Sequence, residues 1–232
     1  SALLTQDLER QFPVGSKFAY NNTGYAVLAV LVERVSGMDF NQYLQTTFFA
    51  PLGMTQTHAY SAATSPEFNQ DRAYGFRALL DGANRPYDQI PMMYMAGMGG
   101  IYSTTADLFK WAQALDSQTL FSKDSWHQAT QTTKLNDGNE NPYGFGWGLK
   151  PSKLGKKRVA HSGHWRGFKG AFERMPEHDY TIIILTNNGV DDSVDENVTA
   201  METLLDGKQP KSVKKALSWT LYDILRKQDL AE

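Results

Sequence analysis

The 232-residue sequence predicts an α+β fold, with helices first, an antiparallel sheet next and helices again at the end. Two observations support this order. Apolar residues recur at helical spacing before residue 140, and two β-rich runs joined by a short polar turn follow it. Strands do not alternate with helices as in a doubly wound sheet. We therefore place a mainly helical region at residues 1–140 and the sheet with its closing helices at residues 141–232.

The first predicted elements are helices. Residues Tyr25 to Val35 place apolar side chains at helical spacing and stop at a glycine, although their valines would also suit a strand. We expect this helix to be largely buried. A second helix is predicted from Asp39 to Phe49. A third, amphipathic helix is predicted from Asp107 to Leu115, with Ser103 or Thr104 as its N-cap.

Strands and then further helices make up the rest of the chain. The run Tyr143 to Leu149 alternates aromatic or apolar residues with glycine, as a strand with close neighbours would. Two more strands are predicted at Phe168 to Met175 and at Tyr180 to Thr186, and the polar residues between them predict a hairpin turn. The predicted closing helices run from Val194 to Leu205 and from Val213 to Leu225.

Composition excludes several classes of protein. A net charge of −2 and a pI of about 6.2 argue against a nucleic-acid binder that depends on phosphate contacts. The absence of cysteine excludes disulfides, thiolate metal sites and a cysteine nucleophile. The longest apolar run, Tyr25 to Val32, is too short to span a bilayer. The first residues do not resemble a signal peptide, so we expect a processed chain or a piece of a longer one.

The tripeptide Tyr20-Asn21-Asn22 is the first candidate for chemistry. A tyrosine just before a helix can hold its phenol at a cleft, and a nearby cation would make it a general base. Asn22 lies two residues on and offers both a donor and an acceptor. Taken alone, the tripeptide also fits a helix-capping turn with a tyrosine packed on the core.

The second candidate is the segment His161-Ser162-Gly163-His164. His161 could act as a proton donor or an electrostatic partner at a strand edge, and Gly163 would let a ligand approach the backbone. The N–H of His164 could help to bind an oxyanion. A polar strand end with a satisfied histidine is one alternative. Metal binding by His161 and His164 is another, but no close third ligand follows.

Three further segments do not match the functional motifs that they partly resemble. Ser162 lacks the flanking glycines of a hydrolase nucleophile elbow. The glycine-rich run at residues 97–100 is not followed by Lys-Ser or Lys-Thr, so it predicts tight backbone packing beside the cleft rather than a phosphate cradle. The acidic run from Asp191 to Glu196 misses the EF-hand spacing and predicts the first turn of a helix.

Taken in order, these segments resemble the serine β-lactamase and penicillin-binding-protein-like hydrolases. The resemblance favours the branch with class C β-lactamases, D-alanyl-D-alanine carboxypeptidases and related esterases, and covers nearly the whole chain. Taken alone, the tripeptide at Tyr20 favours a capping turn, and with this resemblance we favour a role in chemistry instead. The segments that match are Phe18 to Tyr25 with its Tyr-x-Asn pattern, Pro51 to Met54 with Thr57, Gly99 to Leu108, Tyr143 to Trp147, His161 to Gly163 and Leu185 to Asn188.

The resemblance implies a β-lactamase/transpeptidase-like fold, here incomplete at its N-terminus, with Tyr20 on the helical region and His161 on an edge strand across a cleft. It implies acyl transfer through a serine ester, with Tyr20 as base and then acid. Asn22 would hold the substrate amide or the family's lysine, and His161 would supply charge or a hydrogen bond. Gly163 and the N–H of His164 would face the substrate and its oxyanion. No metal or organic cofactor is implied.

The resemblance also implies a nucleophilic serine in a Ser-x-x-Lys motif upstream of Tyr20, and the residues before Tyr20 contain no such motif. The one match, Ser212 to Lys215, looks more like the cap of the last helix than a nucleophile. We therefore expect the nucleophile to lie outside this chain, the chain alone to be inactive, and an open slot beside Tyr20 and His161. The missing N-terminal segment of the same protein would be its partner.

Other readings stay open at this point. One is a non-catalytic relative that binds a peptidoglycan-like ligand, and another is an interaction domain that kept only the scaffold. The substrate could be a β-lactam, a D-Ala-D-Ala peptide or a simple ester. The resemblance implies a periplasmic or secreted location.

Overall fold

The computed structural model describes residues 10–59, 72–78, 84–88, 96–117, 119–189 and 193–210. Helices come first, a three-stranded antiparallel sheet follows, and a helix closes the order, so the α+β prediction is confirmed. The helices are α1 (Asn22–Ser36), α2 (Phe40–Leu44), α3 (Thr105–Ser117), α4 (Lys123–Ala129) and α5 (Val194–Leu205). The strands are β1 (His58–Ala59), β2 (Phe76–Ala78), β3 (Asn84–Pro86), β4 (Ile101–Tyr102), β5 (Thr133–Lys134), β6 (Glu140–Asn141), β7 (Val159–Trp165), β8 (Phe168–Met175) and β9 (Tyr180–Thr186).

Helix α1 begins directly after Tyr20 because Asn21 caps it. The Asn21 side chain accepts a hydrogen bond of 3.1 Å from the N–H of Gly24. The helix ends at Gly37, which has a φ of 70° and donates its N–H to the last turn. The segment Tyr25–Val35 is therefore a helix and not a strand, and the cap fixes the backbone next to Tyr20.

The prediction that α1 is largely buried is wrong. Ala29 is buried at 2% exposure, whereas Leu28, Leu31 and Val35 are 51%, 53% and 81% exposed. These three side chains lie at positions i, i+3 and i+7 and so share one face. We call them the exposed row of α1. The other face packs against α2, and no described element covers the exposed row.

The second predicted helix is two structures in sequence. Asp39 caps α2 by accepting from the N–H groups of Asn41 and Gln42 at 3.0 and 3.3 Å. A π-helical turn, Gln45–Phe49, then continues the chain and buries Phe49. The extra residue of this wider turn changes the direction of the side chains that follow it.

Helix α3 is pinned to the segment before β1 through the buried side chain of Asp107. Thr104 caps the helix, with its hydroxyl 3.2 Å from the N–H of Asp107. The Asp107 carboxylate accepts from the N–H of Gln56 at 2.8 Å and from the hydroxyl of Thr57 at 3.0 Å. Lys110 completes the set at 2.7 Å. Two of the segments that carried the family resemblance are thus bonded to each other.

The main sheet has the strand order β7-β8-β9, with all neighbours antiparallel. Strands β8 and β9 have the predicted bounds, and residues 176–179 form the predicted turn between them. One face of the sheet packs on α5, which also has its predicted bounds. The apolar core between them contains Ala171, Met175, Ile182, Val194 and Val198.

The run Tyr143–Leu149 is not the strand that we predicted. It folds into a turn in which the N–H of Gly144 donates to the carbonyl of Trp147 at 2.8 Å and Gly146 has a φ of 78°. Only Gly148 joins the sheet, through two backbone hydrogen bonds with Ala160 of 2.7 and 3.0 Å. Glycine at 146 permits the left-handed backbone that breaks the strand.

Some predictions lie outside the described residues, namely the last helix, Val213 to Leu225, and the match at Ser212. Asp191 and Asp192 lie outside them as well, while Asp195 and Glu196 occupy the first turn of α5. The division of the chain at residue 140 stays a prediction. None of the described helices is both long enough and apolar enough to cross a bilayer.

Candidate active site

Tyr20 and His161 lie side by side, although 141 positions separate them in the sequence. Their ring centroids are 6.1 Å apart, with the ring planes tilted by 39°. Tyr20 comes from the segment before α1 and is 54% exposed, whereas His161 comes from the edge strand β7. The structure thus brings together the two residues from which we expect proton transfer and electrostatic support. Their roles in a reaction stay predictions.

Both ring nitrogens of His161 have partners. Nδ1 lies 2.6 Å from the carbonyl oxygen of Ser162, and because a carbonyl can only accept, Nδ1 carries the proton. Nε2 lies 2.9 Å from the hydroxyl of Tyr143. A hydroxyl can donate to or accept from an imidazole nitrogen. The two contacts therefore fix the orientation of the His161 ring.

Sequence reasoning missed Tyr143 as a site residue. It lies in the turn that we predicted to be a strand, and its ring meets those of Tyr20 and Phe18 at centroid distances of 6.0 and 5.2 Å. Burial raises the pKa of Tyr143, and the nearby phenols of Tyr25 and Tyr20 raise it further. Tyr143 therefore stays protonated and remains a donor well above neutral pH. The signal in the sequence was that Tyr143 begins one of the segments that match the family.

Tyr25 is the second residue that was missed, since its helical spacing predicted only packing. Burial raises its pKa above the ordinary value, against the opposing effect of a hydrogen bond with Tyr143. The contact places a third phenol behind the Tyr20–His161 pair. The site is thus mainly aromatic.

A shallow cleft of about 290 Å³ lies in front of these rings. His161 lies behind its wall, in contact with Tyr20 and Tyr143. The cleft borders Tyr20, but His161 is not among its lining residues, so an open slot beside both residues stays a prediction. The lining residues are Phe18, Ala19, Tyr20, Asn21, Gly24, Tyr25, Leu28, Tyr143 and Gly144.

Asn22 is exposed as the first residue of α1. Its side chain makes no hydrogen bond with any residue in the described ranges, and it is not part of the cleft lining. The cap is formed by the preceding residue, Asn21. Asn22 is therefore free to bind a ligand, but the structure does not join it to Tyr20 or His161.

The outer edge of β7 is open beside Gly163 and His164. Ala160 directs its backbone N–H and C=O away from β8 to Gly148. Because backbone groups alternate along a strand, the N–H of His164 also points away from β8. A Cβ atom on Gly163 would meet nothing within 4 Å. No packing contact requires glycine here, and a ligand has room to approach the backbone.

The glycine-rich run at residues 97–100 packs against α1. Gly97 has a φ of 80°, and a Cβ atom there would lie 2.2 Å from the carbonyl oxygen of Tyr25 and 2.8 Å from Cβ of Ala29. Such an approach needs glycine. The run therefore packs tightly on the helix that lines the cleft, as predicted.

Metal binding by His161 and His164 lacks the required geometry. Side chains three positions apart on a strand leave it on opposite faces, so the two imidazoles of β7 do not converge. Within the ranges that the structure describes, no three His, Cys, Asp or Glu side chains cluster closely enough to hold a metal ion.

The sequence profile of the family described as Beta-lactamase matches residues 3–204. The chain belongs to the Beta-lactamase family. This is a family of serine hydrolases with a β-lactamase/transpeptidase-like fold, so the resemblance seen in the sequence is confirmed. The match covers Tyr20 on the helical side and the edge strand that carries His161.

Relatives within this family include penicillin-binding protein 4* of Bacillus subtilis, which is 34% identical over 95% of the chain and 52% of its own length. D-aminopeptidase of Gluconobacter oxydans is 24% identical over 77% of the chain and 33% of its own length. The chain thus spans about half, or less, of these relatives. A solved structure, the octameric penicillin-binding protein homologue of Pyrococcus abyssi, superposes with a TM-score of 0.72 at 26% identity, covering 86% of this chain and 45% of that one.

Proposed function

We propose that this chain carries the acid–base part of an acyl-transfer site, and that the full-length protein hydrolyses an amide or ester through a serine ester. The observation that supports this most directly is the approach of Tyr20 to His161 across the helical and sheet regions, at 6.1 Å between ring centroids. In the proposed reaction Tyr20 takes the proton of the nucleophile and returns it to the leaving group. No metal or organic cofactor takes part.

The substrate side of the proposal uses the open edge of β7. The N–H of His164 points away from β8 and donates to the oxyanion that forms on the substrate carbonyl. Gly163 leaves space for the substrate backbone. Asn22, with its side chain unengaged among the described residues, binds the substrate amide or the lysine of the missing motif.

The nucleophilic serine and its lysine are proposed to come from outside residues 1–232. A phenol acts as a base at neutral pH only when a cation lowers its pKa. The rings in contact with Tyr20 among the described residues are those of Tyr143 and His161, and the cleft in front of them is lined by no described lysine or arginine. The activating cation must therefore come from elsewhere. We propose that residues 1–232 alone are inactive, and keep Ser212 only as a second choice.

An acylation experiment tests this assignment. The full-length protein and residues 1–232 are incubated separately with a fluorophosphonate and with a penicillin, and the adducts are located by mass spectrometry. We expect a covalent adduct on an upstream serine of the full-length protein and none on residues 1–232. Labelling of Ser212 would support a permuted enzyme instead. The absence of any adduct on the full-length protein would refute the enzyme proposal.

A second candidate is a non-catalytic relative that binds a peptidoglycan-like ligand. It is favoured by the aromatic lining of the cleft, which suits stacking against a sugar or peptide. The same probes separate the two, since a binder gives no adduct. For the enzyme, the names of a penicillin-binding protein and of a D-alanyl-D-alanine carboxypeptidase among the relatives support a β-lactam or a D-Ala-D-Ala peptide, and an ester remains open. A periplasmic or secreted location is proposed on the same basis.

A further inference from the structure

The contact between Tyr143 and His161 assigns a role to a residue that the proposed function does not use. The hydroxyl of Tyr143 lies 2.9 Å from Nε2, and the carbonyl of Ser162 lies 2.6 Å from Nδ1. The two partners occupy both ring nitrogens of His161. His161 in this state can neither donate a proton to a substrate nor accept one from it without first losing a partner.

The turn that carries Tyr143 is fixed on both sides. A Cβ atom on Gly144 would lie 2.1 Å from the carbonyl oxygen of Ala129, and the N–H of Phe145 donates to that same oxygen at 2.9 Å. At its other end, Gly148 exchanges two hydrogen bonds with Ala160, the residue before His161. The turn therefore holds the Tyr143 hydroxyl at a set position relative to the imidazole.

The groups that face the imidazole are neutral phenols. Tyr20 meets it from the segment before α1, and Tyr143 meets it from the turn, with Tyr25 of α1 behind Tyr143. Burial keeps the phenol of Tyr143 protonated and hence able to donate.

We propose that Tyr143 is a positioning residue, which together with the Ser162 carbonyl locks the His161 ring with its proton on Nδ1 and with Nε2 held at the Tyr143 hydroxyl. This inference rests on the proposed function for its catalytic consequence. The imidazole of His161 then orients the Tyr20 ring, and Tyr20 is the residue that transfers the proton. Of the two roles that the family resemblance implied for His161, charge or a hydrogen bond, this proposal assigns the hydrogen bond.

Nitrogen NMR of the protein labelled with ¹⁵N-histidine tests the lock without any assay of activity. The chain has five histidines, and the signal that disappears in His161→Gln identifies the one needed. At a pH of about 8, where an ordinary imidazole is neutral, we expect the wild-type ring to carry its proton on Nδ1. A proton on Nε2, or on both nitrogens, would overturn the proposal even if no variant folded.

The variant Tyr143→Phe removes only the donor to Nε2. We expect its Nε2 signal to move and the Nε2–H tautomer to become populated, while Tyr43→Phe, which removes a hydroxyl elsewhere, leaves both His161 signals unchanged. Unchanged His161 signals in Tyr143→Phe would also overturn the proposal. Because the four other histidines report on the fold, a variant that unfolds is recognised at once.

Kinetics on the full-length protein supply the second readout. We expect Tyr143→Phe to slow acylation by roughly tenfold, the size of one lost orienting hydrogen bond, with KM little changed. An unaltered rate would contradict the link between the lock and catalysis. If the wild type forms no acyl-enzyme, the proposed function fails while the NMR result still decides the lock, so the two failures can be told apart.

Discussion

The ring of Tyr20 lies 6.1 Å from that of His161, and the hydroxyl of Tyr143 fixes the far side of the imidazole. The pair joins the two parts of the chain, since Tyr20 precedes the first helix and His161 belongs to the edge strand of the sheet. A change at either ring should therefore affect acylation without loss of the fold.

Tyr20→Phe in the full-length protein should slow acylation by roughly 10²- to 10⁴-fold, because it removes the proposed general base. The free energy of unfolding should change little, since Tyr20 is 54% exposed and only a hydroxyl is lost. Burst kinetics with a chromogenic acyl donor measure the rate, and EDTA should not alter it. The matched control is Tyr43→Phe. Equal rates for wild type and Tyr20→Phe would remove Tyr20 from the mechanism.

Gly163→Val should fold normally and bind substrate poorly. A Cβ atom at Gly163 meets nothing within 4 Å, so the side chain fits the free protein but fills the space that we assign to the substrate. We expect kcat/KM to fall by roughly ten- to a hundredfold through misplacement of the substrate. Ser162→Ala, a neighbour on the same strand, serves as control. A Gly163→Val variant with the wild-type kcat/KM would place the substrate elsewhere.

Because of Asp107, the free energy of unfolding should decrease as the pH becomes acidic. Burial alone would raise its pKa, but the bonds from Lys110, Gln56 and Thr57 outweigh burial and hold the pKa below the ordinary value. A lowered pKa in the folded state stabilises the protein above the unfolded pKa of about 3.9, and this contribution is lost as the pH falls further. Urea unfolding at a series of pH values measures it.

Asp107→Asn removes the carboxylate charge and should flatten the acid limb of that stability curve while lowering stability at pH 7. Asp137→Asn, in an exposed turn, is the matched control. A variant whose stability falls as steeply with acid as the wild type would show that other carboxyl groups are responsible.

Ile182→Ala should destabilise the protein by about 2–5 kcal/mol, because the side chain is 1% exposed between the sheet and α5 and its removal leaves a cavity. Leu185→Ala, on the same strand but 40% exposed, should cost much less. Thermal and urea unfolding of both variants compare them. Similar losses for the two would mean that the core lies elsewhere.

The sequence best predicted those elements in which the local residue types alone determine the secondary structure. The hairpin of β8 and β9 was predicted at its correct bounds because its strands are β-rich and its turn is polar. The run at residues 143–149 misled us, since alternation of aromatic residues with glycine imitates a strand while Gly146 adopts a left-handed turn. The spacing of aromatic residues and glycines alone does not show whether a glycine adopts a positive φ.

The site was predicted in part for a similar reason. Tyr20 and His161 were found through motifs that belong to a family. Tyr143 also lies in a segment that matches the family, but its hydrogen bond to His161 depends on how a turn docks on the sheet, which no local pattern records. The exposure of Leu31 was missed as well, since helical spacing shows which side chains share a face but not whether another element covers it.

The π-helical turn at Gln45–Phe49 has an evolutionary consequence. Such a turn corresponds to one residue inserted into an α-helix, and it sets the direction in which Phe48 meets Trp111 and Phe49 enters the core. Deleting Thr47 would restore a regular helix and rotate the residues that follow it by about 100° about the helix axis. In descendants of a common ancestor that lack this residue, we therefore expect both phenylalanines to be replaced. The length of this segment and the identity of its aromatic residues should vary together.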